Sequence, residues 1–535
     1  MKGMISAGDA HTAAAGAAML KRGGNAVDAA VAAAFASFVA EVGVVHLGGS
    51  GIAQVFQPQS GRQGYRCQTY DFFSNTPGLG RQDSLEDIDF ERVTIDFGPT
   101  TQDFYLGRGS VAVPGNIAGL CQMAADHGRL SLPELLEPAI KLAQDGVPLS
   151  QFQADTCALL EPIYTHTPAM RAIFGRREGV ITAGERLMIP DLAYTLSELA
   201  SKGPDYARNG RLARAILADQ ATNGGLLTAA DLENYAVHEL SAVRLTYREY
   251  EILLPPPSSS GGVLTAFTFK LLRHFDVGAL KHGSEKHLQL LFEVMAATTR
   301  ARPVWDRALE TLSVADAVAY FLSETFVAHY VREVKASLEG DSPLPALSEP
   351  ALHPDTSHLS VIDEGGMAVS LTTTAGETAG YVVPGTGYIP NNIMGEEDLH
   401  PAGFHVREPG QRIPTMMTPA IVLHQGNIRL VVGSGGSIRI RSAILQVLSN
   451  LLDFNMSLVD AVNTSRVHLE NGALQCELGY DPAAVTALEA RGYSVNRWDR
   501  RSIYFGGAHS VSRTPTGEVV AAGDNRRGGA TATAD

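Results

Sequence analysis

The hairpin predicted between residues 356 and 374 constrains the fold of this chain most. Leu359 and Val361 alternate with more polar residues along a first strand, and Gly365-Gly366 supplies a tight turn. The second strand, residues 367–374, is rich in β-branched side chains, which favour pleated structure. The pattern therefore predicts two paired antiparallel strands well inside a chain of 535 residues.

Hydroxyl groups cluster at one end of this hairpin, because Thr356 begins the first strand and Thr372-Thr373-Thr374 ends the second. A Thr hydroxyl is a weak nucleophile unless a base lies against it, and a free amine on the same residue is one such base. An α-amino group has a pKa of roughly 7.7–8.0, which suits a general base near neutral pH. One interpretation is therefore cleavage between Asp355 and Thr356, which leaves Thr356 as an N-terminal nucleophile. The other is an ordinary Thr-rich hairpin, since Thr favours strands.

Composition argues against several other classes of protein. The chain is 45% hydrophobic and 19% charged, which is ample for a large buried core, and no Pro/Ser-rich linker divides it. A net charge of −15 without a basic, aromatic cluster argues against nucleic-acid binding. The sequence has no HExxH or GxxxxGK[ST] motif. Its widely spaced cysteines predict buried free thiols rather than disulfides or a zinc site: Cys67, Cys121, Cys157 and Cys476.

The N-terminal segment carries no evident secretory signal, since Met1 leads straight into sequence that is typical of a folded domain. The most apolar stretch, residues 29–40, is too short to span a bilayer. We therefore expect a cytoplasmic protein, or a periplasmic or secreted one if a leader has been removed.

Local patterns predict further helices and strands. Helices are predicted at 10–21 (with Asp9 as N-cap), 26–41, after Pro114-Gly115, and at 285–301, 314–339 and 441–452. Strands are predicted at 52–56, 65–73 and 247–254, with a second hairpin formed by 420–423 and 428–432.

A glycine-rich loop, residues 433–437 (GSGGS), joins this second hairpin to the helix at 441–452. A strand, a glycine turn and a helix N-terminus present backbone N–H groups to an anion. A phosphate site usually has a Lys in such a loop, and this loop has none. An oxyanion hole for acyl transfer is equally consistent with the pattern, and one donor of that kind is worth about 10²–10³ in rate.

Several motifs, in the same order along the chain, resemble those of the γ-glutamyltranspeptidase family of N-terminal-nucleophile hydrolases. The ordered series is specific, although each motif alone is less so. The motifs are 23–30 (GGNAVDAA), Pro114-Gly115, 256–262 (PPSSSGG), Thr356-Ser357-His358, Asn391-Asn392, Gly435-Gly436-Ser437 and Gly523-Asp524.

The resemblance implies an α+β fold, a four-layer αββα sandwich of the N-terminal-nucleophile hydrolase type. It implies a proenzyme that cleaves itself between Asp355 and Thr356. The fragments 1–355 and 356–535 would stay associated as the large and small subunits of one globular unit. No metal or organic cofactor is implied.

The resemblance also assigns roles to individual residues. Thr356 would be the nucleophile and Thr374 the residue that orients it, while Gly435 and Gly436 would form the oxyanion hole in a loop one residue shorter than the usual GSPGG. The positions that match substrate-binding residues are Asn391, Asn392, Glu396 and Thr415. The acidic residues Glu396, Glu397 and Asp398 either bind a substrate amine or solvate a loop.

The residues that grip a γ-glutamyl group in the family are largely replaced here. The carboxylate-binding Arg is replaced by Phe73, the Asn after the second Thr by Gly376, the Gln after Asn-Asn by Ile393, and a Ser by Met416. Losing an Arg–carboxylate fork removes a charge-assisted bidentate contact. Arg439 and Arg441 are either substitutes for that Arg or surface charges on a helix.

We therefore expect an autoprocessed N-terminal-threonine amidohydrolase or acyltransferase that acts on a small amide. Cleavage of γ-glutamyl amides such as glutathione is the activity that the family implies. A different small amide, as in the oxamate amidohydrolase type, is the alternative, because the glutamate-binding residues are replaced. A non-catalytic family member is a second alternative. We expect neither a nucleic-acid nor a membrane partner, and the sequence leaves a homo-oligomer open.

Overall fold

The structure is a computed structural model that describes residues 1–59, 64–82, 87–96, 101–340, 342–347 and 356–535. Asp355, on one side of the predicted cleavage site, lies outside the described residues, whereas Thr356 lies within them.

The strands of the described residues are, in chain order, β1 (Gly3–Ala7), β2 (Ser50–Pro58), β3 (Tyr65–Phe72), β4 (Glu91–Asp96), β5 (Thr101–Leu106), β6 (Val147–Pro148), β7 (Arg186–Leu187), β8 (His238–Ser241), β9 (Val243–Tyr247), β10 (Tyr250–Leu254), β11 (Ser357–Asp363), β12 (Ala368–Thr374), β13 (Ala420–His424), β14 (Asn427–Val432), β15 (Val467–Glu470), β16 (Ala473–Cys476), β17 (Val495–Arg497), β18 (Ser510–Arg513), β19 (Val519–Ala522) and β20 (Ala530–Ala534).

The α-helices of the same residues are α1 (Ala10–Lys21), α2 (Ala26–Ala40), α3 (Asn116–His127), α4 (Leu132–Asp145), α5 (Gln151–Leu159), α6 (Glu161–Tyr164), α7 (Pro168–Phe174), α8 (Leu192–Lys202), α9 (Asp205–Arg208), α10 (Arg211–Thr222), α11 (Ala229–Asn234), α12 (Ser260–Leu272), α13 (Glu285–Thr311), α14 (Val314–Phe321), α15 (Glu324–Glu339), α16 (Arg439–Leu452), α17 (Leu458–Asn463) and α18 (Pro482–Ala490). Short 3₁₀ helices cover Arg108–Ser110, Val277–Ala279, Ile393–Gly395, Glu397–Leu399, Ile503–Phe505 and Asn525–Arg527.

Two antiparallel sheets form the centre of the molecule. The seven-stranded sheet has the order β20-β1-β11-β12-β2-β3-β8, and the six-stranded sheet has the order β19-β18-β14-β13-β10-β9. In the seven-stranded sheet β11 pairs with β1 on one side and with β12 on the other. Strands from both predicted fragments are therefore interleaved in one sheet.

The cores show how the layers stack. One apolar cluster combines residues of both sheets, such as Phe56 and Ile362 with Leu253 and Val431, so it lies between the sheets. A second cluster joins the seven-stranded sheet to α1 and α2. A third joins the six-stranded sheet to α12, α13 and α16. The order is therefore helix, sheet, sheet, helix, and the predicted αββα fold is confirmed.

Local chemistry explains most of the predicted elements. Asp9 caps α1 by accepting the His11 N–H at 2.8 Å, as predicted. All four cysteines are buried, and Cys67, Cys121 and Cys476 are free thiols, also as predicted. The apolar helix predicted at 26–41 forms α2, all of whose residues are buried. Within the described ranges, no helix combines the length and apolarity that a bilayer crossing needs.

Two predicted elements are wrong in detail. The single strand predicted at 247–254 is the hairpin β9–β10, because Arg248 takes a left-handed backbone conformation (φ 55°) that turns the chain. The single helix predicted at 314–339 is divided into α14 and α15. Ser323 begins the second helix, since its hydroxyl accepts the Phe326 N–H at 3.3 Å.

Candidate active site

Successive side chains along β11 point to opposite faces of the seven-stranded sheet. Leu359 and Val361 belong to the core shared with α1 and α2, whereas Ile362 belongs to the core between the sheets. This alternation directs Thr356 towards the space between the sheets and Ser357 towards the helical layer. The hairpin pattern read from the sequence therefore also sets the direction of the predicted nucleophile.

Thr356 and Thr374 lie opposite each other at the end of the hairpin. Ser357 pairs with Thr373, and the same antiparallel register continued by one residue pairs Thr356 with Thr374. They are 4% and 7% exposed. The Thr374 hydroxyl accepts the Gly376 N–H at 3.1 Å. The structure thus brings together the two threonines that the sequence singles out.

The glycine loop packs on the backbone of Thr356. A Cβ atom added to Gly435 would lie 2.0 Å from the Thr356 carbonyl oxygen, so only glycine allows this approach. Gly436 has a φ of +111°, which favours glycine. The Gly435 N–H makes only a long bond of 3.4 Å to the Gly507 carbonyl. The loop predicted to form an oxyanion hole therefore lies directly against the predicted nucleophile.

Arg527 is a neighbour of Thr356 that the sequence analysis missed. Its Nη1 lies 3.5 Å from the Thr356 carbonyl oxygen. Asp524, three residues before Arg527, is fully buried and pairs with Arg466 at 2.6 Å and with Arg526 at 3.1 Å. Burial raises the pKa of Asp524, but the two guanidinium groups outweigh it and hold this pKa well below its usual range. The only sequence signal was the Gly523-Asp524 motif, which precedes Arg527.

Gly376 makes room for two of the predicted substrate-binding residues. A Cβ atom there would lie 2.1 Å from Asn392 Oδ1 and 2.2 Å from Glu396 Oε1, and its φ of +67° also favours glycine. Asn392 Oδ1 accepts the Glu377 N–H at 2.9 Å. The carboxyl group of Glu396 therefore lies against Gly376, two residues after Thr374. This is the position that carries an Asn in the family that the sequence resembles.

The acidic turn formed by residues 396–398 contacts the glycine loop. Ser437 donates a hydrogen bond of 2.6 Å to Asp398, and burial raises the pKa of Asp398. Glu396 and Asp398 are 4% and 6% exposed, whereas Glu397 is exposed. The interpretation of these residues as a solvated loop is therefore wrong for Glu396 and Asp398.

Asn391 and Thr415 hold loops in place around the site. The Asn391 amide donates to the carbonyls of Gly48 at 2.8 Å and Ala112 at 3.0 Å. Thr415 donates its N–H to the Ser258 carbonyl at 3.0 Å. The side-chain amide of Asn391 is therefore hydrogen-bonded to backbone carbonyl groups. The substrate-binding role of both residues stays a prediction.

Apolar side chains occupy the positions at which the family that the sequence resembles has polar substrate-binding residues. These apolar side chains are buried together in one cluster. Phe73 and Ile393 are 0% exposed and Met416 is 7% exposed, and all three belong to the core that covers the six-stranded sheet. Arg412, which the sequence analysis missed, donates to the Phe73 carbonyl and lies 3.6 Å from Asp71. The Arg412 guanidinium also donates to the Ala236 carbonyl at 2.6 Å, so it is hydrogen-bonded to backbone carbonyl groups.

Arg439 and Arg441 are not surface charges, because they are 1% and 9% exposed. The Arg439 guanidinium lies 4.7 Å from the centre of the Tyr504 ring and 3.8 Å from Glu470. Among the described residues, its nitrogens have no hydrogen-bond partner. The ion pair and the ring contact offset its charge within the core.

The hydrogen bonds around His358 define its tautomer. Ser360 donates to the His509 carbonyl at 2.9 Å, so its oxygen accepts a proton from His358 Nε2 at 2.9 Å. His358 Nδ1 then accepts from the Thr372 hydroxyl at 2.8 Å. Burial holds the pKa of His358 well below its usual value. This His is a neutral structural group of the hairpin.

A buried carboxylate on the other side of the hairpin is a further group that the sequence analysis missed. The Ser357 hydroxyl donates to Glu41 at 2.5 Å, and the Thr12 hydroxyl donates to the second Glu41 oxygen at 2.7 Å. Glu41 is 1% exposed. Its signal in the sequence was an acidic residue at the C-terminal end of a largely apolar helix.

Comparison with known proteins places these features in a family. The sequence profile of a family described as Gamma-glutamyltranspeptidase matches residues 12–534. The Acylase ACY 1 proenzyme of a Pseudomonas species is 34% identical over 531 residues, covering 97% of this chain and 91% of that protein. The Glutathione hydrolase proenzyme of Escherichia coli is 29% identical over 552 residues, covering 98% and 90%. The crystal structure of a cephalosporin acylase from Bacillus halodurans has a TM-score of 0.83 at 23% identity, covering 99% of this chain and 96% of that one, and shares the fold.

Proposed function

Since the chain belongs to the gamma-glutamyltranspeptidase family of N-terminal-nucleophile amidohydrolases, we propose that it is a self-processing amide hydrolase with Thr356 as its nucleophile. One observation carries this proposal: Thr356 directly precedes β11 and lies opposite Thr374, with the backbone of Gly435 against its carbonyl. The fragments 1–355 and 356–535 stay associated, because β1, β11 and β20 share one sheet.

Self-cleavage begins when the Thr356 hydroxyl attacks the carbonyl carbon of residue 355. The peptide C–N bond breaks, and the departing Thr356 nitrogen takes up the proton that the hydroxyl has lost. An ester then links residue 355 to the Thr356 oxygen. Water then hydrolyses this ester, which frees the hydroxyl and an α-amino group on the same residue.

Turnover uses both groups of Thr356. The α-amino group accepts the hydroxyl proton as the oxygen attacks the substrate amide carbon. N–H groups of the glycine loop stabilise the oxyanion. The C–N bond breaks, the departing amine takes the proton, and water hydrolyses the acyl ester to regenerate Thr356. Thr374 orients the nucleophile from the neighbouring strand.

The preferred acyl group lacks the amino-acid head of a γ-glutamyl group. Phe73, Ile393 and Met416 are apolar and buried where the family places polar partners for that head. A substrate carboxylate placed against them would lose its hydration without a bidentate partner. The Acylase ACY 1 proenzyme among the relatives is consistent with an acyl group of another kind.

Cleavage of γ-glutamyl amides, including glutathione, is the second candidate. It is favoured by Glu396, whose buried carboxyl group lies against Gly376, two residues after Thr374, and belongs to the residue type that binds a substrate ammonium group.

Three p-nitroanilides separate these candidates, because their acyl groups differ only in the head: γ-glutamyl, glutaryl (no amino group) and butyryl (no amino group or carboxylate). We expect butyryl to have a kcat/KM at least tenfold above γ-glutamyl, because the carboxylate that glutaryl shares with γ-glutamyl lacks a bidentate partner here, and oxamate is tested beside them. A γ-glutamyl preference of tenfold or more would contradict the first candidate and support the second.

A further inference from the structure

Glu41 lies in a position that is costly for a carboxylate. It is 1% exposed, it caps the C-terminus of α2, and Asp9 lies close enough to disfavour its ionisation. A helix C-terminus carries partial negative charge, which adds to the repulsion. Burial, the largest effect, raises the pKa of Glu41 to about 7. Packing alone gives no reason for an ionisable group here.

Two hydroxyl donors hold this carboxylate beside the predicted nucleophile. Ser357, the residue directly after Thr356, donates to one Glu41 oxygen at 2.5 Å, and Thr12 of α1 donates to the other at 2.7 Å. Gly8 closes the site, since a Cβ atom there would lie 2.4 Å from Glu41 Oε2. The carboxylate is therefore fixed relative to the first residue of β11.

Covalent geometry limits the distance between the Glu41 carboxylate and the Thr356 nitrogen. Adjacent Cα atoms are about 3.8 Å apart, so a group hydrogen-bonded to the Ser357 hydroxyl lies within about 10 Å of that nitrogen. After cleavage this nitrogen is the α-amino group that must be neutral to act as a base. A negative charge at that distance stabilises its protonated form.

We infer that Glu41 is a positioning residue whose hydrogen bond orients Ser357 and whose negative charge favours the protonated α-amino group of Thr356. This inference rests on the proposed function, because it requires cleavage before Thr356. Glu41 thereby sets the lower pH limit of activity.

Other charged groups face Glu41 and Thr356. Asp9, paired with His11 at 3.0 Å, faces Glu41 from the start of α1. Arg527 faces Thr356 from the C-terminal part, with Nη1 3.5 Å from its carbonyl oxygen, and opposes the effect of Glu41. The α-amino group and Glu41 are close enough to titrate as a coupled pair.

The test measures the α-amino group directly in matured protein. Wild type, Glu41→Gln and Glu41→Asp are each treated briefly with acetic anhydride from pH 5 to 10, and labelling of the Thr356 amine is read by peptide mass spectrometry. At an effective dielectric constant of about 20, one charge at about 10 Å moves the midpoint by about one pH unit. We expect the Gln variant to be about one unit lower than wild type and the Asp variant to stay close to wild type.

Asp363→Asn is the matched control. Asp363 is a buried carboxyl at the other end of β11, and burial raises its pKa too. Seven residues of strand at about 3.3 Å each place it about 23 Å from Thr356. We expect no shift in this variant. The acid limb of kcat/KM should move with the labelling midpoint.

The outcomes separate the inference from the proposed function. An uncut wild-type chain would refute the proposed function. A cut chain whose Gln variant keeps the wild-type midpoint within 0.2 pH unit, or shifts no more than Asp363→Asn, would overturn the inference. If Glu41→Gln does not mature, Thr12→Ala replaces it, because losing that hydroxyl disfavours the charged form of Glu41. It should shift the midpoint in the same direction by less, and an unchanged midpoint would again overturn the inference.

Discussion

The contact between Gly435 and Thr356 predicts a steric effect that can be measured without altering any polar group. In Gly435→Ala the new Cβ atom would lie 2.0 Å from the Thr356 carbonyl oxygen and 3.0 Å from its carbonyl carbon. Ordinary contact begins near 3.4 Å, so the loop and the hairpin must separate by about 1.4 Å. Gly435 has no positive φ, so backbone strain does not confuse the result.

A shift of this size affects reactivity more than folding. Misplacing catalytic groups by about 1 Å costs about 10²-fold in rate. Forcing one extra methyl group into a packed site costs about 1–3 kcal/mol of stability. We therefore expect Gly435→Ala to fold, to mature at least tenfold more slowly, and to have a kcat about 10²-fold lower on whichever amide the wild type cleaves.

The assay follows maturation by intact mass over time, then kcat and thermal unfolding of the matured fraction. Gly365→Ala is the control, since it lies in the turn of the same hairpin, has no positive φ, and its Cβ would meet only Asp363 Oδ1, at 3.3 Å. We expect the control to behave as wild type. A Gly435→Ala variant that matures at the wild-type rate and keeps kcat within threefold would refute the placement of the glycine loop.

Three further predictions concern stability. Gly376→Asn restores the family residue type but should lower the free energy of unfolding by about 2–4 kcal/mol in urea, because the new Cβ atom would lie 2.1 Å from Asn392 Oδ1 and 2.2 Å from Glu396 Oε1 and would displace both side chains; stability equal to wild type would contradict this. Asp524→Asn leaves Arg466 buried without its partner and should cost about 3–5 kcal/mol in the same experiment. Glu41→Gln should remove a pH dependence: because the folded pKa of Glu41 is raised to about 7, its contribution is fully present below its unfolded value near 4.5 and is lost as pH rises through about 7. The stability of wild type relative to the Gln variant should therefore fall by about 3 kcal/mol between pH 4 and 8, and parallel curves would contradict it.

Much of the fold was predictable because it depends on local patterns. Period-two alternation predicted the hairpin of β11 and β12, and Asp9 before an Ala-rich run predicted the start of α1. Errors arose where one residue decided the outcome. Arg248 turns the chain although a β-like pattern runs through it, and Ser323 begins a new helix within a helical pattern.

The candidate site was predictable only for residues that carry a motif. Thr356, Thr374 and the glycine loop could be named because their types and order are distinctive. Glu41 and Arg527 could not, because long-range packing places them. Glu41 reaches Ser357 from the end of α2, which packs on β11, and Arg527 precedes β20, which is held near β11 by pairing with β1. The burial of Arg439 was also missed, since a charged residue near a helix start is most often exposed.

The proposed mechanism requires that cleavage before Thr356 creates the nucleophile. Intact mass of freshly purified wild type, Thr356→Ala and Thr356→Ser tests it most directly, with p-nitroanilide and oxamate turnover on the same samples. We expect two fragments that meet at Asp355 and Thr356 in the wild type, slower cleavage in the Ser variant, and a single uncut, inactive chain in the Ala variant. A wild type that stays uncut, or an Ala variant that is cut at the same bond, would refute the proposed mechanism.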